Sequence, residues 1–300
     1  MTYRKRKNHR GKTLDTKDGF KVIDCIWCGF KHISPLFSDA ELRTFYEKEF
    51  YQAEKPNYFK EVKEDIEWWG ATYNNYYTLL EKHTKGRKLL DVGSGPGYFL
   101  SVGKKRGWSV LGIEPSPQAY AYSKRHGLPV IHDFFNYKAV KDYKPFDVVH
   151  MSLVLEHVPD PVLFIKDMKK LLKSNGLLFI VSPNDYSPLQ NILCEELKFK
   201  PWWVVPKHHL NYFDFQSIKK LLTRHGFKIV DTLATFPMEF FLLSGDNYVG
   251  NHTLGRKCHN RRKKFEMNLY KKSPELLNGI YRDLAQNGVG REFVVVAQWK

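Results

Sequence analysis

The chain has 300 residues, 42% of them hydrophobic, and 48 Lys and Arg against 32 Asp and Glu give it a formal net charge of +16. That is enough apolar material for one large domain or two smaller ones. No run approaches the ~20 apolar residues of a membrane helix, and MEFFLL at 238–243 is far too short. Four cysteines argue against a disulfide framework, and no apolar stretch follows the basic N-terminus as a secretory signal requires, so the expected location is cytoplasmic.

Residues 1–12 hold six basic side chains, Arg4, Lys5, Arg6, Lys7, Arg10 and Lys12, and no acid. The stretch 255–272 holds eight more against a single Glu266, so these two segments carry thirteen of the sixteen net charges and the remaining body is nearly neutral. Such clusters serve as solvated tails and loops, as a positive rim for an anionic small molecule, or as nucleic-acid contacts; the first two are favoured here. Between 20 and 51 lies Cys25-x-x-Cys28-Gly29, which is half of a zinc-binding spacing. Helices are expected over 39–50 and 58–83. The second carries Trp68, Trp69, Tyr73, Tyr76, Tyr77 and Leu80, a stripe that reads first as core packing.

The run KLLDVGSGPGYFL at 88–100 is the most informative. A strand pattern carrying Asp91 enters Gly93-Ser94-Gly95-Pro96-Gly97, and a helical pattern follows. The glycines allow a tight turn and close approach of a ligand to the main chain. The spacing is neither the dinucleotide fingerprint nor a phosphate loop, and an acid beside the turn suits a ligand with positive charge. Further strands are expected at 109–114 ending in Glu114, at 129–132 before Asp133, at 146–151 ending in Met151, and at 177–182, with a helix over 162–172 between the last two. A helix ending at Gly226, a sixth strand, and a β-branched last strand at 291–299 complete the pattern. The β-α-β order predicts an α/β, Rossmann-like, seven-stranded, mostly parallel sheet with helices on both faces and ligand at the carboxyl ends of the strands.

In these features the chain resembles the class I S-adenosylmethionine (SAM)-dependent methyltransferases. The resemblance implies SAM as cofactor, held by Asp91, Gly93, Ser94, Gly95, Gly97, Glu114, Asp133 and Met151. Glu114 would accept hydrogen bonds from the ribose hydroxyls, and Asp133 stands where the family commonly contacts adenine. The N-terminal segment resembles a zinc-ribbon-like module found before some of these enzymes. The upstream cysteine pair of that module is missing here, so Cys25 and Cys28 are the candidate metal ligands, His9 lies in the basic tail, His32 is a candidate third ligand, and Cys258 or His259 a distant fourth. The expected organisation is a tail and module at 1–50, cover helices at 51–84, and a methyltransferase domain at 85–300 with substrate-cap insertions at 184–212 and 237–290.

Methyl transfer is a displacement that needs chiefly alignment, and a hydroxyl or carbon acceptor needs a base. His157 in Leu155-Glu156-His157-Val158 is the first candidate. His209, in a Pro206-x-x-His209-Leu210 pattern that resembles one in the family, is the second, with Glu156 behind them. The expected acceptor is an oxygen or carbon of a small molecule, with a sugar or polysaccharide precursor as the example. RNA methylation through the basic clusters and non-catalytic SAM binding are the alternatives. Base methylation is disfavoured, because His150-Met151-Ser152-Leu153 replaces the Asn/Asp-Pro-Pro-aromatic motif of adenine enzymes and no Pro-Cys of the cytosine enzymes is seen.

Overall fold

The computed structural model describes residues 9–37, 41 and 63–300. Apart from Glu41, the helix expected over 39–50 lies outside them. An antiparallel module comes first: β1 (Gly11–Lys17), β2 (Phe20–Cys25) and β3 (Lys31–Ser34). Helix α1 (Ile66–His83) leads into the main sheet, beginning with β4 (Lys88–Val92), α2 (Tyr98–Lys105), β5 (Ser109–Ile113), α3 (Pro117–Arg125) and β6 (Val130–Ile131). A four-residue helix, α4 (Tyr137–Val140), precedes β7 (Phe146–Ser152), α5 (Pro161–Leu171) and β8 (Leu172–Pro183). Then come α6 (Pro188–Glu195), β9 (Asn211–Tyr212), α7 (Phe215–Arg224) and β10 (Phe227–Ala234). The chain closes with α8 (Glu239–Leu243), α9 (His252–Lys272), α10 (Pro274–Gln286) and β11 (Glu292–Trp299).

The main sheet has seven strands in the order β10-β11-β8-β7-β4-β5-β6. Only β11 runs against its neighbours, so the expected mostly parallel doubly wound sheet is present. Its strands are apolar on both faces because helices cover both faces. Successive side chains alternate between faces. Leu89, Val148, Phe179 and Val294 pack with Tyr77 and Leu80 of α1, Phe99 of α2 and Tyr281 of α10. Leu90, Val149, Ile180 and Val295 pack on the other face with Ile165 and Met168 of α5 and Ile218 and Leu222 of α7.

Local chemistry sets the helix starts. The Asp160 carboxylate accepts from the Leu163 amide at 3.0 Å with Pro161 in the first turn, a favourable N-cap arrangement, which accounts for the Asp-Pro after His157. Asp214 and Ser217 form a reciprocal capping box on α7. The basic run at 255–272 falls within the 21-residue helix α9 rather than a loop.

Strand β9 belongs to the segment 184–212, yet it pairs antiparallel with β3 through Lys31 with Tyr212 and His32 with Asn211. Trp203, Val204, Leu210 and Tyr212 share a small core with Val22 and Ile33. This part of the expected cap therefore completes the N-terminal sheet. No described helix is long and apolar enough to cross a membrane.

Ile180 is fully buried at the centre of the sheet. Ile180→Ala is expected to cost about 2–5 kcal/mol, read as a lowered urea midpoint at unchanged slope; a loss below about 1 kcal/mol would show that the core around β8 collapses to fill the space.

Candidate functional site

The turn after β4 is built by glycines in the left-handed region: Gly93 at φ 70°, Gly95 at φ 53° and Gly97 at φ 78°. A Cβ on Gly93 would lie 2.6 Å from Val154 Cγ2, and one on Gly97 would lie 2.5 Å from Leu128 Cδ1. Both conformation and space therefore require glycine. The Gly93 and Ser94 amides donate to the Ile113 carbonyl at 2.9 and 3.2 Å, tying the turn to β5. Glu114, the next residue, is buried. Its carboxylate accepts from the Gly95 amide at 2.8 Å and from the Ser116 amide at 2.9 Å. Burial pushes the Glu114 carboxyl up to about 7, although those two amides and the nearby charge of Asp91 also act on it, the amides downward and Asp91 upward.

The other expected cofactor residues are placed unequally. Ser94 is buried in the turn, and its Oγ has no hydrogen-bond partner. The Asp91 carboxylate is 3% exposed and accepts from His150 Nδ1 at 2.6 Å, so it faces a histidine of β7 instead of open space. The His150 ring stacks on Phe99 at 3.9 Å between centroids. Asp133 is half-buried after β6 and accepts from Asn136 Nδ2 at 3.0 Å. The Met151 side chain lies wholly inside the core on the α5 and α7 side, so only its main chain can face a ligand. The residues after it, Ser152 and Leu153, reach a cavity wall. Leu153 sits at φ 55°, a conformation that disfavours a branched apolar residue.

That cavity, about 220 Å³, lies over β8, β10 and β11. Trp68, Trp69, Tyr73 and Tyr76 of α1 line one side, His259, Arg262 and Glu266 of α9 the other, and Asn278 and Tyr281 of α10 close it. Of the stripe of α1 read from sequence as core packing, Tyr77 and Leu80 are in the core, whereas Trp68, Trp69, Tyr73 and Tyr76 line this cavity. Trp68 is 6% exposed and Trp69 partly buried. Buried Glu266 accepts from Trp68 Nε1, from Tyr281 Oη, and from Arg262 Nε at 3.3 Å. The Arg262 guanidinium lies 5.0 Å from the Trp68 ring centroid. Arg256, Lys263 and His259 converge on Asp65, His259 Nε2 at 3.0 Å from its carboxylate. Burial raises the Asp65 carboxyl, but these three donors outweigh it and hold the group at about 2. The His259 imidazole is lowered by burial and by the Arg262 charge, with Asp65 opposing. It is therefore predominantly neutral at neutral pH and able to accept a proton.

The expected catalytic residues gather elsewhere. Glu156, His157 and His209 come within 4.8 Å of one another, yet none of them lines the cavity. His157 Nδ1 donates to the His208 carbonyl at 2.6 Å, and its Nε2 lies 3.8 Å from Glu156 Oε1. Ser182 Oγ donates to buried Glu156 at 3.0 Å. His209 Nδ1 lies 4.0 Å from Asp185, whose carboxyl is pushed up to about 7 by burial, with Arg291 opposing and Glu239 reinforcing. Asn211 Nδ2 donates to the carbonyls of Leu155 and Val158 at 3.1 and 2.7 Å, so β9 holds this turn.

The candidate metal ligands are completed differently from the expectation. Cys25, Cys28 and His32 are joined by His9. The distant candidates Cys258 and His259 lie on α9, where His259 is engaged with Asp65.

A family profile described as a methyltransferase domain matches residues 71–232, from α1 through most of β10. The chain belongs to this methyltransferase-domain family. A ubiquinone biosynthesis O-methyltransferase of Pelagibacter ubique is 37% identical over 108 residues, 35% of this chain and 45% of that protein. A protein of the same name from Actinobacillus pleuropneumoniae is 37% identical over 109 residues, 33% of this chain and 47% of that protein. The chain thus spans about half the length of the curated relatives it matches. A SAM dependent methyltransferase from Archaeoglobus fulgidus has the same fold, with a TM-score of 0.50 and 18% identity, covering 80% of this chain and 99% of that one.

Sequence reasoning did not bring His259, Arg262 and Glu266 together as the lining of one cavity. The available signal was the lone acid of the basic stretch, four residues after Arg262 and so on the same helical face. Removing Glu266 would leave a buried guanidinium unpaired. Glu266→Ala is expected to cost about 3–5 kcal/mol, and the double variant Arg262→Met with Glu266→Leu to recover only part of it, because Trp68 Nε1 and Tyr281 Oη lose their acceptor in both. Both are read by urea denaturation, and an unchanged midpoint for Glu266→Ala would mean that Arg262 reaches water.

Proposed function

We propose that this chain transfers a methyl group from SAM to an oxygen of a small-molecule acceptor. The observation that carries the reading is the buried Glu114 at the end of β5, hydrogen-bonded to the Gly95 amide of the turn that closes β4. An acid at this position suits the ribose hydroxyls, and the glycine main chain admits close approach of the rest of the molecule. Membership of the methyltransferase-domain family and the O-methyltransferase names of the relatives support the same chemistry.

The acceptor belongs in the aromatic cavity beside Ser152 and Leu153. Its walls of Trp69, Tyr73 and Tyr76 favour a flat, largely apolar molecule carrying a hydroxyl over the sugar precursor expected from sequence. Bound SAM would supply its methyl carbon to the hydroxyl oxygen, the carbon–sulfur electron pair going to sulfur, which would end as a neutral thioether. His259, neutral and held by Asp65, takes the hydroxyl proton.

Two experiments test this. His259→Gln is expected to lower turnover about 100- to 10,000-fold at saturating SAM, with His157→Ala near the parent rate. The opposite pattern would move the chemistry to the Glu156, His157 and His209 cluster. For the cofactor, the Glu114 carboxyl is raised to about 7, so it is ionised above that pH and protonated below it. A ligand that donates to the carboxylate should bind with full affinity above pH 7 and lose up to about tenfold per pH unit below it. Calorimetry with S-adenosylhomocysteine reads this, and Glu114→Gln should bind weakly with no such pH dependence. Full affinity in the Gln variant would remove Glu114 from the site.

A further inference from the structure

We propose that His9, Cys25, Cys28 and His32 form a structural zinc site of Cys2His2 type that clamps the N-terminal sheet and, through β9, the turn carrying His157. The proposal does not rest on the methyl-transfer reading.

The geometry is that of a coordination shell. His9 Nδ1 lies 3.2 Å from Cys28 Sγ, 3.5 Å from Cys25 Sγ and 3.4 Å from His32 Nε2. An imidazole nitrogen has one in-plane lone pair or one N–H, so it can make one good hydrogen bond and not three. A tetrahedral zinc with the usual bond lengths would separate two nitrogens by about 3.3 Å and a nitrogen from a sulfur by about 3.6 Å. The observed spacings are close to those edges, and a single cation at the centre engages all four atoms.

The surroundings prepare the ligands. His32 Nδ1 donates to the Ile33 carbonyl at 2.8 Å, which places the proton on Nδ1 and turns the lone pair of Nε2 toward the cluster, as metal-bound histidines require. Cys25 and Cys28 flank a tight turn closed by the Gly29 amide donating to the Cys25 carbonyl at 2.9 Å. Gly29 takes φ 74° there. The Cys28 amide points at Cys25 Sγ at 3.5 Å. Neither cysteine forms a disulfide. Two thiolates and two neutral imidazoles exactly offset a divalent charge in a buried setting, and the sulfur–nitrogen set selects zinc over harder cations.

The position explains what the metal does. It ties His9, two residues before β1, to the end of β2, to the turn after it and to β3. Strand β3 pairs with β9, and the Asn211 amide of β9 caps the carbonyls of the turn at 155–158. The core that this sheet shares with the segment before β9 is small, with six buried apolar side chains, and in small cores a metal supplies folding free energy.

The test uses the full chain. Purified, dialysed protein is expected to hold one zinc per chain, and its cobalt-substituted form to show the absorption of a tetrahedral site with two thiolates. His9→Ala should weaken zinc binding more than about 100-fold, whereas His9→Cys should retain it and Cys258→Ser should leave it unchanged. Absorption spectra report the ligand set independently of activity, and circular dichroism confirms that each variant is folded. A folded parent chain that takes up no zinc from a competing chromophoric chelator would overturn the proposal, as would a His9→Ala variant with the parent affinity.

Discussion

The hydrogen bond from the Gly95 amide to the Glu114 carboxylate joins the ends of β4 and β5 and fixes the glycine turn on which the proposed cofactor site depends. It forms only because β4 and β5 lie side by side in parallel register, Val92 opposite Ile113, so both strands stop at the same level. The left-handed glycines then fold the chain back over the end of β5. A side chain at Gly93 or Gly97 would strike Val154 or Leu128, which would push the turn off the strand and separate the amide from the acid. The interaction is local in space and entirely dependent on the packed sheet beneath it.

The aromatic cavity follows a different logic. Its polar interior rests on Glu266, which satisfies Trp68, Tyr281 and Arg262 together. A buried ion pair is seldom a large net source of stability; what it provides here is a fixed relation between α1, α9 and α10. Asp65 adds a second anchor between the start of α1 and α9 through Arg256, Lys263 and His259. Arg256, Arg261 and Lys263 of α9 are therefore paired with acids of other elements and Arg262 with Glu266, so half of the basic side chains at 255–272 are engaged within the fold.

The N-terminal sheet links to the catalytic body by main-chain pairing. Strand β9 is only two residues long, but it lies between the small core of Val22, Ile33 and Trp203 and the turn at 155–158. Constraints on β3 are thereby transmitted to His157, whose Nδ1 is engaged by the carbonyl of His208 just before β9. Segment 184–212 is at once a wall of the module and a support of the main domain, a role its irregular composition does not disclose.

The periodic and glycine signals were legible in the chain alone. Alternating and continuous apolar runs specify buried parallel strands, because covering a sheet on both faces leaves no polar alternation. The G-x-G-x-G turn and Glu114 are read from local spacing, because adjacent parallel strands bring their ends together regardless of the rest. Tertiary structure decided the matters that depend on residues far apart. Met151 turns into the core because its parity along β7 matches Val149. Trp68 and Tyr73 line a cavity because α9, nearly two hundred residues later, packs across α1 without filling the space between them. His9 joins Cys25, Cys28 and His32 because β1 pairs antiparallel with β2, which brings the residues just before β1 to the turn after β2. Sequence spacing registers neighbours along a strand or helix; it carries no record of which distant face comes to meet them.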